Sequence, residues 1–493
     1  MMDALRLGDR VLNNRLGDPL LAASSALLYI DLLRKLLFRA LDRRLAARGK
    51  HEDAIGRQRT LIYRAVLDTL DRLVERRTLS PQVTRTIARL WGRTLFVPAR
   101  RRQAALQFRE QRGCLPPWFL VLSPGHACNL DCPGCYAGSG AEGAKLPWSM
   151  LDRIMSEAKT LWGVPLFVFS GGEPLVYRSQ GKDILDIVEK HADCLFLMFT
   201  NGTLIDRLTA ARLAQLGNLT PALSVEGWRA RTDARRGAGI YDRVLQAMAL
   251  LREAGVPFGL SVTATRDNCQ EILSDPFLDF FFGQQGAFYA FLFQYTPIGR
   301  DPTWEWVPTA EQRASFWRRS WEAIAHKRVF LLDFGNHGPL VEGCIAAGRE
   351  RGYLYIDWNG QAMPCVFMPC AGADVYEIYA QGGTLNDVWE APLFRAIRQW
   401  QRDYGYGCPE LARAGNWMSP CPFRDHHHVF REWVSRYGPK AGTAADEAVL
   451  VDETYAERML AHARETAPFS QKIWEQEYLH ERGDRARTDL GAG

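Results

Sequence analysis

Two periodicities divide the chain. Through residues 1–112 apolar positions recur at helical spacing, over 20–45 and again over 61–73, with arginines interleaved. Ser80-Pro81 predicts a further helix start, with Ser as N-cap and Pro at the first helical position. A basic break at Pro98 to Arg102 and the run Leu115-Pro116-Pro117 mark a boundary. Beyond it, short apolar runs at 119–122, 165–169, 195–199, 222–225, 258–263 and 287–293 alternate with amphipathic stretches such as 241–254. Six strands alternating with helices predict a parallel sheet, open or curled into a barrel, with its chemistry at the C-terminal strand ends. Residues 301–335 read as helical. Residues 336–430 are rich in Gly, Pro and Cys, and Asn359-Gly360 predicts a hairpin over 353–363. The tail after 437 reads as helix followed by polar residues.

Composition narrows the class. The chain has 493 residues, 47% apolar and 24% charged, which excludes disordered and collagen-like chains and gives enough length to bury its own core. The apolar stretch at 19–30 is too short to span a bilayer, is broken by Asp31, Arg34 and Lys35, and lacks a small-residue cleavage site. The expectation is a cytoplasmic protein with reduced thiols. Residues 1–112 hold 24 Lys+Arg against 11 Asp+Glu, whereas the other 381 hold 37 against 45. This asymmetry predicts either an anionic partner for the basic end or a solvated arginine face. No aromatic-and-basic reader motif accompanies the charge, so no nucleic acid is expected.

The eleven cysteines need a separate account. Cys114, Cys194 and Cys269 stand alone, as small core residues do. Cys128, Cys132 and Cys135 fall within eight residues just past the first strand, spaced C-x3-C-x2-C. Three thiolates on one tight loop suit a metal. Structural zinc takes four ligands and a cubane iron–sulfur cluster normally takes four cysteines, so three leave one iron open. At the end of the second strand lies Ser170-Gly171-Gly172-Glu173-Pro174. Its glycines permit close backbone approach to a ligand, and Glu173 can accept from an ammonium group.

In this order the motifs resemble the radical S-adenosylmethionine (SAM) superfamily, over residues 118–300. The resemblance implies that Cys128, Cys132 and Cys135 hold a [4Fe–4S] cluster whose open iron chelates SAM. One electron then splits SAM to methionine and a 5′-deoxyadenosyl radical, which abstracts a substrate hydrogen. It implies SAM binding by Gly171, Gly172, Glu173 and Pro174, the family's GGEP segment. Weaker matches follow: Asn201 in Thr200-Asn201-Gly202, Ser224 near the ribose in Ser224-Val-Glu226-Gly227, and Arg236 on the SAM carboxylate in Asp233-Ala-Arg235-Arg236-Gly237. There Glu226 replaces the usual Asp. A further departure is Gly134 where the family usually carries an aromatic or apolar residue near adenine, with Tyr136 following the third cysteine.

Cys344, fifteen residues, Gly360, four residues, Cys365 resembles the opening of SPASM and twitch auxiliary-cluster domains, as does Gly383–Trp389 after it. This implies a second [4Fe–4S] cluster on Cys344, Cys365 and Cys421, with Cys370 preferred over Cys408 as fourth ligand. A structural zinc site on the same thiols is the alternative. Adjacent His426, His427 and His428 cannot all face one metal, and read as a solvated loop.

The expected architecture is α/β. A basic helical domain (1–112) precedes a partial (β/α)6 TIM-type barrel (115–335), an α+β auxiliary-cluster domain (336–437) and a helical and polar tail (438–493). The implied substrate is a peptide or protein, with an electron donor such as flavodoxin or ferredoxin. Leucines paired with arginines at 32–39 carry the alternative: a lipid substrate and a peripheral site on an anionic membrane at the inner face, reached through residues 1–112. The rival from another class is a non-enzymatic metal-binding or electron-transfer protein, which has no need of a SAM pocket.

Overall fold

The computed structural model describes residues 31–49, 52–76, 79–80, 83–84, 99–350, 352–443 and 446–479. The apolar stretch at 19–30, Pro81, Pro98 and the polar end of the tail lie outside them.

Helices Asp31–Gly49 and Ala54–Glu75 pack on each other at the start of the described chain. Asp53 caps the second helix by accepting from the Gly56 N–H at 2.9 Å. That helix buries Ala65, Thr69 and Leu73 along one stripe. Several of the basic residues have partners within the fold. Arg64 makes a two-pronged pair with Asp42 at 2.6 and 2.9 Å, Arg328 reaches the same Asp42 at 3.2 Å, and Arg59 pairs with Glu342 at 2.7 Å. No helix among the described residues is long and apolar enough to cross a membrane.

One ten-stranded sheet organises the rest. In chain order its strands are β1 (Phe119–Leu122), β2 (Leu166–Phe169), β3 (Leu195–Thr200), β4 (Leu219–Ser224), β5 (Gly259–Ala264), β6 (Ala290–Gln294), β7 (Leu331–Asp333), β8 (Tyr353–Ile356), β9 (Gln361–Met363) and β10 (Ala373–Asp374). Their spatial order is β10-β9-β8-β1-β2-β3-β4-β5-β6-β7. Every pair from β8 through β1 to β7 is parallel; β8–β9 and β9–β10 are antiparallel.

All six strands expected from the sequence are present. A seventh parallel strand, β7, lies in the stretch read as helical. Helix Ala310–Glu322, opened by a Thr309/Gln312 capping box, occupies only part of that stretch. Three residues carry no readable period, and β7 exists because Leu331 pairs with Ala290 of β6. The hairpin on Asn359-Gly360 is also present, with Tyr355 opposite Met363. Its first strand pairs in parallel with β1, so the hairpin extends the barrel sheet.

Alternation along the strands sorts side chains into two cores. Leu120, Phe167, Phe196, Leu223, Leu260, Leu292 and Leu354 face the surrounding helices. Val121, Val168, Leu197, Tyr289, Tyr353 and Tyr355 form a second cluster on the other face.

Asp357, just past β8, is fully buried. One carboxylate oxygen accepts from the N–H groups of Asn359 (2.9 Å) and Gln361 (2.8 Å), building the turn, and the other has no partner among the described residues. Burial pushes its carboxyl up to about 7, against those two hydrogen bonds. Raised in the folded state, this group stabilises the fold below its unfolded pKa, and that contribution is lost as pH rises from 3.8 to about 7. Asp357→Asn should therefore flatten the pH dependence of denaturant stability in that window by about one proton. An unchanged slope would assign the pH dependence to other groups.

Candidate metal centre

Cys128, Cys132 and Cys135 sit on the long loop after β1, each half-buried and free of disulfides. The loop is held by backbone from several directions. Gly172 and Glu173 donate to the carbonyls of Gly125 (3.0 Å) and Ala127 (2.9 Å), and Cys128 donates to Gly140 at 2.6 Å. Burial pushes the Cys128 thiol up to about 11. It raises Cys132 too, against the opposing pull of Arg236 and Arg235. The three thiols act on one another electrostatically. Around Cys128 Sγ, the Leu130 N–H lies at 3.4 Å and the Asn201 amide at 3.8 Å. Among the described residues, no group of three His, Cys, Asp or Glu side chains is set to hold a single metal ion.

The GGEP segment fits against this loop through its glycines. Gly171 has φ +104°, and a Cβ on Gly172 would stand 2.2 Å from the Ala127 carbonyl oxygen. Glu173 is buried between the ends of β2 and β3. It accepts from Leu175 N–H (3.1 Å), Thr200 hydroxyl (2.7 Å) and Asn201 N–H (2.8 Å). A carboxylate has about four acceptor positions, so roughly one stays open for an ammonium group. Burial raises its carboxyl, opposed by these hydrogen bonds and by Arg236. Pro174 opens a single 3-10 turn.

Tyr136 turns its hydroxyl onto the same segment, 2.6 Å from Ser170 Oγ and 3.1 Å from the Gly171 N–H. Asn201 bridges to Asn129 at 2.9 Å. Ser224 ends β4, buried. Glu226 lies between two arginines, 2.9 Å from Arg236 Nε and 2.9 Å from Arg235 Nη1, so Arg236 is anchored beside Cys132 and Cys135.

The departure at Gly134 has a structural reason. Its φ is +61°, and a Cβ there would lie 2.6 Å from the Trp306 ring and 3.0 Å from Tyr295. Two aromatic rings from after β6, Tyr295 and Trp306, fill the space beside Gly134. Sequence reasoning missed Trp306, Arg235 and Arg300, which contact the loop from 100 or more residues away. Only Gly299 beside Arg300 hinted at close approach: its Cβ would meet the Cys135 carbonyl oxygen at 2.2 Å.

A second group of thiols lies beyond β7. Cys344, Cys365 and Cys421 act on one another, and burial raises all three, Cys365 to about 11. The Tyr353 hydroxyl is 3.0 Å from Cys365 Sγ, and the Arg424 N–H is 3.4 Å from Cys421 Sγ. Of the three, only Cys365 acts on Cys370, which is fully buried and paired in a short ladder with Ala441. Cys408 directs its thiol to the Glu410 carbonyl at 3.4 Å. The histidine run is solvated only in part: His428 is exposed. His427 is buried with Nδ1 2.8 Å from the Phe423 carbonyl, and His426 packs on Trp400 and Tyr404, because the helix His427–Tyr437 begins there.

Buried charges flank this second group. Asp425 lies 2.8 Å from Arg313 and 3.0 Å from Arg424, and accepts from the Cys421 N–H at 3.0 Å. Burial pushes its carboxyl up, but Arg313 and Arg424 outweigh that and hold it well below the usual carboxylate range. Between the two thiol groups runs an aromatic wall. Phe367 packs on Tyr136 (5.9 Å between ring centres) and on Phe293 (5.6 Å), and Phe293 continues to Phe199 and to half-exposed Phe334.

The family model described as the radical SAM superfamily matches residues 122–271. The AdoMet-dependent heme synthase of Methanosarcina barkeri is 25% identical over 301 residues, 55% of this chain and 82% of its own. The PqqA peptide cyclase of Granulibacter bethesdensis is 28% identical, over 66% of this chain and 92% of its own. Mycofactocin maturase MftC of Mycolicibacterium smegmatis is 29% identical, over 59% and 75%. Among solved structures, Streptococcus suis SuiB bound to S-adenosylmethionine shares the fold at 19% identity and TM-score 0.51, over 65% of this chain and 75% of that one. Residues 122–271 thus form a radical SAM domain, and the protein is a radical SAM enzyme that uses SAM with a [4Fe–4S] cluster.

Proposed function

We propose that this enzyme modifies a peptide or protein by hydrogen abstraction, with Cys128, Cys132 and Cys135 as ligands of the SAM-binding cluster. Half-buried thiols on one loop, amide donors aimed at Cys128 and guanidinium groups nearby fit an anionic iron–sulfur group. Cluster and SAM, when bound, supply the electron and the carbon radical; the chain binds, orients and shields. Glu173 offers its remaining acceptor position to the SAM amino group, and Gly171 and Gly172 let the backbone lie close to the ligand. Pro174 fixes the exit of that segment, and Asn201 holds the loop beside Cys128. Ser224 would hold the ribose, and Arg236, anchored on Glu226, would hold the SAM carboxylate. Tyr136 acts through its hydroxyl on the GGEP segment.

The peptide reading rests on the relatives, above all the peptide cyclase that matches over nearly its whole length. The wall of Phe199, Phe293, Phe334 and Phe367 supports a substrate presenting an apolar side chain. The test is 5′-deoxyadenosine release from SAM under anaerobic reducing conditions, with a soluble peptide fraction or with membrane lipids added. Stimulation by peptide alone supports this reading, and stimulation by lipid alone replaces it with the lipid alternative.

Cys344, Cys365 and Cys421 are proposed to hold a second [4Fe–4S] cluster, with Cys370 as the fourth ligand carried over from the sequence. The electrostatic effect of Cys365 on Cys370 supports that choice, and the strand pairing of Cys370 argues against it. Anaerobically purified protein is expected to hold about eight irons per chain, falling to about four in Cys344→Ala/Cys365→Ala/Cys421→Ala. About four in both would remove the second cluster.

A further inference from the structure

The loop that carries the three cysteines exposes its carbonyl groups to arginines. The Arg300 backbone N–H donates to the Cys135 carbonyl at 3.0 Å. Its guanidinium donates to the carbonyls of Cys132 and Gly138, each at 3.2 Å, and to that of Ser139, and it pairs with Asp131. Arg235 takes the two carbonyls in between, Pro133 at 3.4 Å and Gly134 at 3.0 Å. Five carbonyls between residues 132 and 139 are thus capped by two guanidinium groups that lie far away in sequence, and a sixth, that of Cys135, by the Arg300 backbone N–H.

Two physical consequences follow. Unshielded, these oxygens would add negative potential around a group that is itself anionic; guanidinium donors offset it. A planar fork that spans three carbonyls also fixes the curvature of the loop, which one ammonium cannot do. Gly299 brings Arg300 within reach: its φ is +74°, and any Cβ there would collide with the Cys135 carbonyl.

We propose that Arg300 is a positioning residue that holds the cysteine loop in its ligand-ready shape before metal arrives, with Arg235 completing the clamp. Arg300 acts through the loop backbone. The proposal rests on the reading that the loop cysteines bind the SAM-responsive cluster.

The test compares wild type, Arg300→Gln, Arg300→Lys, the Cys128/Cys132/Cys135 triple-alanine variant and a surface control, Arg207→Gln. Two readouts are taken on full-length reconstituted protein: the SAM-induced change in the electron paramagnetic resonance signal of the reduced protein, and the rate of iron loss to a chelator. Melting of the iron-free protein is measured alongside. Arg300→Gln is expected to weaken iron retention at the SAM-responsive site by about 10–100-fold, the usual cost of losing a residue that supports metal ligands. Its SAM-induced signal should shrink in parallel while iron-free melting matches that of Arg207→Gln. Arg300→Lys should recover less than half of the signal, because charge returns without the fork. Wild-type iron retention and SAM response in Arg300→Gln would overturn the proposal. So would a lowered melting temperature of the iron-free variant, which would make Arg300 a general support of the fold. A SAM-induced signal that persists in the triple-alanine protein would overturn the loop reading itself.

Discussion

Replacing Cys135 with alanine should abolish reductive SAM cleavage, lowering 5′-deoxyadenosine release on the order of 10³-fold or more, because a cubane left with two protein ligands is not retained. The effect should be local. Cys135 is only half-buried, and the neighbouring backbone is held by Arg300 and Gly138, so the variant keeps its fold. Release within tenfold of wild type, from folded protein, would show that the ligands lie elsewhere. The prediction also discriminates among the eleven cysteines. Cys194 and Cys269 are buried in the helix-facing core, and alanine at either should leave SAM cleavage intact at a modest cost in stability.

The largest stability effect is expected at Asp425. Its carboxylate neutralises Arg313 and Arg424, and the side chains of Asp425 and Arg313 are almost wholly shielded from water. Asp425→Ala leaves two guanidinium groups buried without their counter-charge, which should cost about 3–5 kcal/mol. Arg313 also binds the carbonyls of Gly335 and Met418 and the side chain of Asn336, so the network joins the end of β7 to the Cys421 loop. Loss of Asp425 should therefore lower iron content at the second thiol group as well as the denaturant midpoint. A change below about 1 kcal/mol would mean that water reaches the arginines and screens them. Asp425→Asn separates packing from charge. It keeps the shape and an acceptor oxygen, so any cost it shares with alanine is electrostatic.

Both predictions turn on residues whose importance was unequally legible. Cys135 was visible because the proposed ligand set is local: three thiols within eight residues can converge on a tight turn. The GGEP segment was visible for the same reason, since two glycines and a carboxylate at a strand end describe a ligand cradle within five residues. The six parallel strands were legible because each is a short apolar run bounded by turns, and alternation with helices sets the sheet type. What is assembled from distant parts was not legible. Nothing near Asp425 in sequence announces Arg313, 112 residues away. The three-residue β7 has no period and owes its existence to β6. The histidine run at 426–428 reads as polar and exposed, yet the chain folds His427 inward at a helix start, where the Phe423 carbonyl and aromatic rings receive it.

The sequence by itself determined the class of chemistry. A C-x3-C-x2-C loop after one strand and a Gly-Gly-Glu-Pro turn after the next are short-range facts, fixed by covalent spacing and by where glycine allows backbone to approach. Only the tertiary structure decided how that loop is held. Arg235 and Arg300 cap it, Trp306 fills the space beside Gly134, and Glu226 aims Arg236, all from later parts of the chain. Covalent spacing sets which groups can meet within a few residues. Which cation or ring meets them from a hundred residues away depends on strand order and on packing, and those exist only once the sheet has formed and packed its core.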